Sequence, residues 1–382
     1  MKILIAPDTF KDALPAIEVC KAIERGLRKA NPEVETILFP LADGGEGTSD
    51  VIAWHLKGEI VKITVADPLF RPIEAHYFLS ADGTTAFIEM AQASGLHLLK
   101  SEERNPLKTS TFGAGEMLLD AWHRGVKNIY LGIGGSATND AGMGMAAALG
   151  WRFLSKNGEE LTPTGENLQK VETIQPPQKI QNSQYLIPNS QFHSVLCDVT
   201  NPLFGPNGAA CVYARQKGAD DAAIAQLDAG LRHFSKKLEQ LFGKDFSQTP
   251  GAGAAGGMGA GAMAFLGARL LPGIEAVMKL TGFEEVLKNA DLVITGEGKL
   301  DGQTLHGKLI HGICKKASAY KVPVVAMCGT LEVTPEKISA IGLMAAFSLL
   351  KRPGSLSEAI AFTETGLEHL SYNVLKIMNL VK

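Results

Sequence analysis

Apolar and polar positions along this chain follow two different rhythms. Residues 2–6 are a short apolar run, and beyond a polar turn Leu14, Ile17, Cys20, Ile23 and Leu27 recur at the spacing of one helical face, which predicts a βα unit. A second run, Val34 to Leu41, leads through glycines to a helix expected from about Ser49 to Leu56. After Gly58 the segments shorten and alternate: Val61–Val65, Ala75–Leu79 and Thr85–Met90, with Asp82-Gly83 as a hairpin turn. A helix at Gly113–His123, a strand at Ile129–Ile133, turns and edge hairpins over 155–190, a strand at Ser194–Val199 and a helix over 221–242 follow. From Asp291 the parallel rhythm returns, with strands at Leu292–Thr295, Val322–Met327 and Leu343–Leu349 and helices at Lys308–Ala319 and Leu356–Leu380. The pattern predicts an α/β fold: a flavodoxin-like doubly wound parallel sheet formed by both chain ends, residues 1–59 and 286–382, with a large inserted α+β domain at 60–285.

Composition narrows the function. Of 382 residues, 45% are hydrophobic and 20% charged, as in an ordinary globular protein. The net charge of −3 and the lack of basic runs argue against a nucleic-acid partner, which needs a basic face. Five cysteines without a Cys-x-x-Cys pair suit reduced thiols in a cytoplasmic protein. The first apolar run is too short for a secretory signal, and no stretch is long enough to span a membrane.

The 41 glycines gather with polar residues where strands end. Gly132 to Gly144 is the densest such stretch, a strand running into Gly134, Gly135, Ser136, Thr138, Asn139 and Asp140. Bare N–H groups at such a turn welcome an anion, and hydroxyl, amide and carboxylate groups serve a phosphate and its metal ion; a tight packing turn is the competing reading. Asp8 and Lys11 lie in the turn after the first strand, where they serve either a ligand or a helix cap. Asp43, Gly44 and Gly45 follow the second strand; Asp198, before Asn201-Pro202, is either a metal ligand or base, or a turn former. Six glycines between Gly251 and Gly261 signal a close backbone approach to a ligand, tight packing or a hinge. The strand from Leu292 is expected to end in a polar loop from Thr295 to Thr304.

Two motif matches are incomplete. Gly302 to Lys308 has P-loop spacing, but Leu309 stands where magnesium needs a hydroxyl. Gly132, Gly134 and Ala137, with Glu159 further on, fit a loose dinucleotide fingerprint, the mark of a nicotinamide-dependent dehydrogenase.

Taken together, Ala6–Lys11, Pro40–Thr48, Gly132–Gly144, Cys197–Leu203, Gln216–Ala219, Gly251–Gly261 and Thr295–Gly298 with Asp301, Gln303, Thr304, Gly307 and Lys308 resemble the bacterial glycerate kinases of type 1, in order and from end to end. The resemblance implies transfer of the ATP γ-phosphoryl group to D-glycerate, at the 2-hydroxyl, with Mg2+. It implies that Asp198 or Asp43 accepts the hydroxyl proton while the other helps hold magnesium, with Glu297 and Asp301 as further metal ligands. Asp8, Gly44, Gly45, Gly134, Gly135, Ser136, Asn139, Asp140, Asn201 and Gln303 would contact substrate or nucleotide, and Lys11, Arg104 and Lys308 would balance charge. The family pattern leads one to expect Ser and Gly where this chain has Thr9 and Asp12. A non-catalytic sensor of a phosphorylated metabolite is the alternative, opposed by four acidic groups that would repel such a ligand without magnesium.

Overall fold

The computed structural model describes residues 1–45, 47–177, 192–301, 309–352 and 354–378. They form two compact units, one of Met1–Asp43, Asp50–Leu56 and Ile274–Lys382, the other of Gly44–Ser49 and Lys57–Gly273.

In the first unit five parallel strands lie in the order Ala345–Ser348, Val324–Leu331, Leu292–Leu300, Lys2–Ile5, Glu35–Leu38. Strands from the two chain ends meet where Ile3 pairs with Leu292, which gives the flavodoxin-like order. Apolar side chains on both faces explain the continuous runs: Ile3, Ile5, Val19, Ile23, Leu27, Ile294 and Met327 share one core. Helices Ala16–Ala30 and Leu356–Met378 touch through Gly26, where a Cβ would stand 2.1 Å from the Glu368 carbonyl oxygen. Arg25 and Lys29 both pair with Glu368 beside that contact.

Two local expectations change. The first helix begins at Ala16 with Pro15 as its N-cap, so neither Asp8 nor Asp12 caps it. A tight turn closed by the Phe10–Leu14 bridge comes first, because Asp12 takes a left-handed φ of 62° that a helix start cannot contain. The strand from Leu292 does not open into a loop at Thr295 but continues to Leu300, paired with Val324–Leu331. Gly296 serves strand packing: a Cβ there would lie 2.1 Å from the Met327 carbonyl oxygen.

The second unit holds a six-stranded sheet in the order Arg269–Leu271, Phe192–Leu196, Asn128–Gly132, Thr85–Glu89, Pro72–Ser80, Gly58–Ala66. The first four are mutually parallel, and the last two form an antiparallel ladder continued onto Thr85–Glu89. Asp82-Gly83 makes the expected hairpin turn, Gly83 N–H donating to the Ser80 carbonyl at 2.8 Å. Helix Phe112–His123 makes the crossover from Thr85–Glu89 to Asn128–Gly132, so the inserted region carries a parallel layer of its own. Its core gathers Tyr77, Ile88, Met117, Leu131, Val195, Phe234 and Phe265.

Gly26→Ala would force a methyl into the Glu368 backbone, and such overpacking typically costs about 1–3 kcal/mol. The expected result is a lower urea midpoint with the slope unchanged, followed by a probe in the first unit.

Candidate functional site

The candidate site is described within the second unit. Strand Asn128–Gly132 ends between Glu89 and Leu196, its neighbours in register at Gly132. The chain then runs through exposed Gly134 and Gly135 into buried Ser136, Thr138, Asn139 and Asp140. Only a side-chain-free backbone could lie beneath this loop. A Cβ at Gly256 would stand 2.1 Å from the Thr138 carbonyl oxygen, and one at Gly261 2.3 Å from that of Ala141. Gly256 and Gly257 adopt φ of 70° and 91°, which breaks the helix there before it resumes towards Leu266. The Gly251–Gly261 run is thus a packing device under the central loop.

Asp140 fixes the loop's shape. Its fully buried carboxylate accepts the backbone N–H of Thr111 at 2.7 Å, the Thr111 hydroxyl at 2.8 Å, and the N–H groups of Gly144 at 3.1 Å and Gly142 at 3.2 Å. Burial raises its pKa, and the donors from Thr111, Gly144 and Gly142 pull it back. Its oxygens are thereby engaged inside the protein.

Lys217 reaches the same loop from the opposite side. Its Nζ donates to Ser136 Oγ and to the Thr138 carbonyl oxygen, each at 2.7 Å, in a side chain only 2% exposed. Loss of hydration lowers its pKa to about 7, against the attraction of Asp140. Next to it, Gly218 turns with φ of 96°, and a Cβ there would meet the Arg104 carbonyl oxygen at 2.1 Å. Around this cation several buried polar atoms have no hydrogen-bond partner: Thr138 Oγ1, both side-chain atoms of Asn139, and Arg104 Nε. Few native groups are left so, and each calls for a reason. A loop with spare donors beside a buried ammonium suits an anionic ligand.

The Gly44–Ser49 segment packs on this loop. A Cβ at Gly132 would meet the Gly44 carbonyl oxygen at 2.5 Å, and one at Gly134 the Gly45 Cα at 3.2 Å. Glu89, 3% exposed, holds the segment by accepting the N–H groups of Ser49 at 2.6 Å and Gly47 at 3.2 Å. Those two N–H groups therefore bind the protein's own carboxylate. Neither Lys217 nor Glu89 stands out in the sequence, although Lys217 lies in the Gln216–Ala219 block and Glu89 is a carboxylate closing an apolar strand.

The other candidates are distributed as follows. Asp198 Oδ1 accepts the Gly273 N–H at 2.8 Å. The Asn201 amide is engaged internally, donating to the Asn207 carbonyl at 2.8 Å and accepting from the Tyr213 hydroxyl at 2.6 Å. Asp8, Lys11, Asp43, Glu297 and Asp301 belong to the first unit. There Asp8 accepts the Thr9 N–H at 2.7 Å, Lys11 is exposed, Glu297 lies within strand Leu292–Leu300, and Asp301 pairs with Lys299 at 3.6 Å. Gln303 and Lys308 lie outside the described residues, as does the whole P-loop-like stretch. Among the described residues, no three His, Cys, Asp or Glu side chains are grouped to hold a metal ion. The dinucleotide fingerprint loses its context: no helix starts at Ala137, the next being the short Met143–Ala148, and Glu159 is exposed in a turn beside Ser155.

Comparison with known proteins shows the family. The pattern of the glycerate kinase family matches residues 3–379. A glycerate kinase of Halalkalibacterium halodurans is 48% identical over 97% of this chain and 97% of its own length. A glycerate 2-kinase of Escherichia coli is 42% identical over 98% of this chain and 97% of its own. The crystal structure of a protein described as glycerate kinase 2 from Salmonella typhimurium LT2 superposes with a TM-score of 0.85 at 40% identity, covering 100% of this chain and 98% of the other.

A pH effect on stability follows from Lys217. Its pKa falls from 10.5 to about 7 on folding, so between those values the unfolded chain binds the extra proton and stability rises with pH. Urea titrations at stepped pH should show that rise in the native protein and lose it in Lys217→Met.

Proposed function

The chain belongs to the glycerate kinase family, an enzyme family of kinases, and from that premise we propose that it phosphorylates D-glycerate at the 2-hydroxyl, giving 2-phosphoglycerate and ADP. The observation that carries the choice of hydroxyl is the likeness to the Escherichia coli glycerate 2-kinase, which extends over 98% of the chain. The buried donors around Lys217 support a site for anionic groups, and both substrates of such a reaction carry them.

Phosphoryl transfer asks a protein for placement and charge neutralisation more than for covalent chemistry. In this reading a carboxylate, Asp198 or Asp43, accepts the proton of the glycerate 2-hydroxyl. The freed oxygen attacks the γ-phosphorus, and the bond to the ADP oxygen breaks. Asp198 suits the role of a fixed base because the Gly273 N–H holds its carboxylate in place. Ser136 and Asn139 offer donors to an oxyanion, Asp140 shapes the turn that carries them, and Lys11 and Arg104 contribute positive charge. Magnesium takes only one or two protein carboxylates and fills its shell with phosphate oxygens and water, so one or two of Asp43, Glu297 and Asp301 in the first unit or Asp198 in the second would be enough to hold it. When bound it would neutralise charge on the transferring phosphate.

Phosphorus NMR after incubation with ATP, magnesium and D-glycerate should show the monoester of 2-phosphoglycerate; 3-phosphoglycerate would reverse the choice of hydroxyl, and intact ATP would remove the kinase reading. Replacing a general base typically costs 10²–10⁴ in rate, so Asp198→Asn should lower kcat by about 10²-fold or more. Near-normal turnover in that variant would transfer the role to Asp43.

A further inference from the structure

The contacts of Lys217 have a directional consequence. An ammonium group only donates hydrogen bonds, so Ser136 Oγ acts as acceptor towards Nζ and its own proton is turned away, free to donate elsewhere. The Thr138 carbonyl is likewise occupied by Nζ, while the Thr138 hydroxyl and the Asn139 amide, on the same short segment and fully buried, are without partners. Ser136 follows exposed Gly134 and Gly135 directly and is itself 8% exposed, whereas Thr138 and Asn139 are fully buried. Leaving a buried donor unsatisfied is costly, and a loop built only for packing would avoid that cost by carrying apolar residues.

We propose that Lys217 is a positioning residue for an oxyanion subsite in which the hydroxyls of Ser136 and Thr138 and the amide of Asn139 grip a carboxylate or phosphate group of a bound substrate. Lys217 supplies the positive charge from beneath and fixes the direction of the Ser136 hydroxyl; it reaches the ligand through Ser136. The carboxylate of the acceptor and the phosphates of the nucleotide share the required chemistry. The inference rests on the kinase reading for the identity of these two substrates.

Steady-state kinetics with D-glycerate and ATP varied in turn test it, using Lys217→Met, Ser136→Ala and the conservative Ser136→Thr. A charge-assisted hydrogen bond contributes about 1.5–3 kcal/mol, so Lys217→Met and Ser136→Ala should each raise the KM of the same substrate by roughly tenfold or more, with kcat changed less. Ser136→Thr should restore it. A rise confined to glycerate identifies the carboxylate, and one confined to ATP the phosphates. If Ser136→Ala leaves both KM values within about twofold of the native enzyme at an unchanged Tm, the proposal is overturned, whatever Lys217→Met does to folding. If the native protein makes no phosphoglycerate, the kinase reading fails separately, and inorganic phosphate becomes the probe. The subsite then stands if phosphate raises the Tm of the native chain and not of Ser136→Ala, and falls if phosphate leaves the native Tm unmoved.

Discussion

A buried carboxylate holds the central loop in place, and the local architecture of the second unit follows from satisfying it. Asp140 places a carboxylate at a fully buried position, which is tolerable only because Thr111, Gly142 and Gly144 turn their donors towards it. That requirement joins the loop to the start of helix Phe112–His123 and to the start of Met143–Ala148. Thr111 does double duty, since its hydroxyl donates to Asp140 and also accepts the Met145 N–H at 2.8 Å. The second unit thus has a rigid frame around a segment whose outer residues, Gly134 and Gly135, remain exposed.

The glycines make that frame possible at close range. Gly44 and Gly45 lie on Gly132 and Gly134, and Gly256 and Gly261 lie under Thr138 and Ala141. Each approach places backbone where any Cβ would collide, so the polar groups of three segments converge in a space that side chains would otherwise fill. Glu89 completes the arrangement by accepting the N–H groups of Gly47 and Ser49, while the Thr138 hydroxyl and the Asn139 amide are among the buried polar groups without a partner.

Much of this was legible in the chain. Strand ends rich in glycine and polar residues marked the loops, because a parallel sheet covered by helices writes its strands as apolar runs and places its chemistry just beyond them. What the pattern could not distinguish was whether a glycine serves a loop or a strand. Gly296 looks like part of a turn, yet it lets strand Leu292–Leu300 lie against the Val324–Leu331 backbone. Long-range roles were hidden for a similar reason. Glu89 and Lys217 act on segments forty or more residues away, and their neighbours in sequence give no sign of it. Asp12 shows the reverse: a left-handed turn is retained although the residue best suited to it is absent, since a short polar side chain tolerates that conformation.

The unsatisfied donors also bear on selectivity. A site that keeps buried polar groups waiting for an anion binds a neutral analogue poorly, because each group left unpaired retains its desolvation cost, whereas an apolar pocket discriminates weakly between ligands of similar shape. Lys217 sharpens the contrast. Burial works against the charge of Lys217, so in the proposed subsite an arriving oxyanion would favour the ammonium while it met Ser136, Thr138 and Asn139. Under that proposal anion binding and protonation of Lys217 would be thermodynamically linked, and a ligand without negative charge would gain neither part of it.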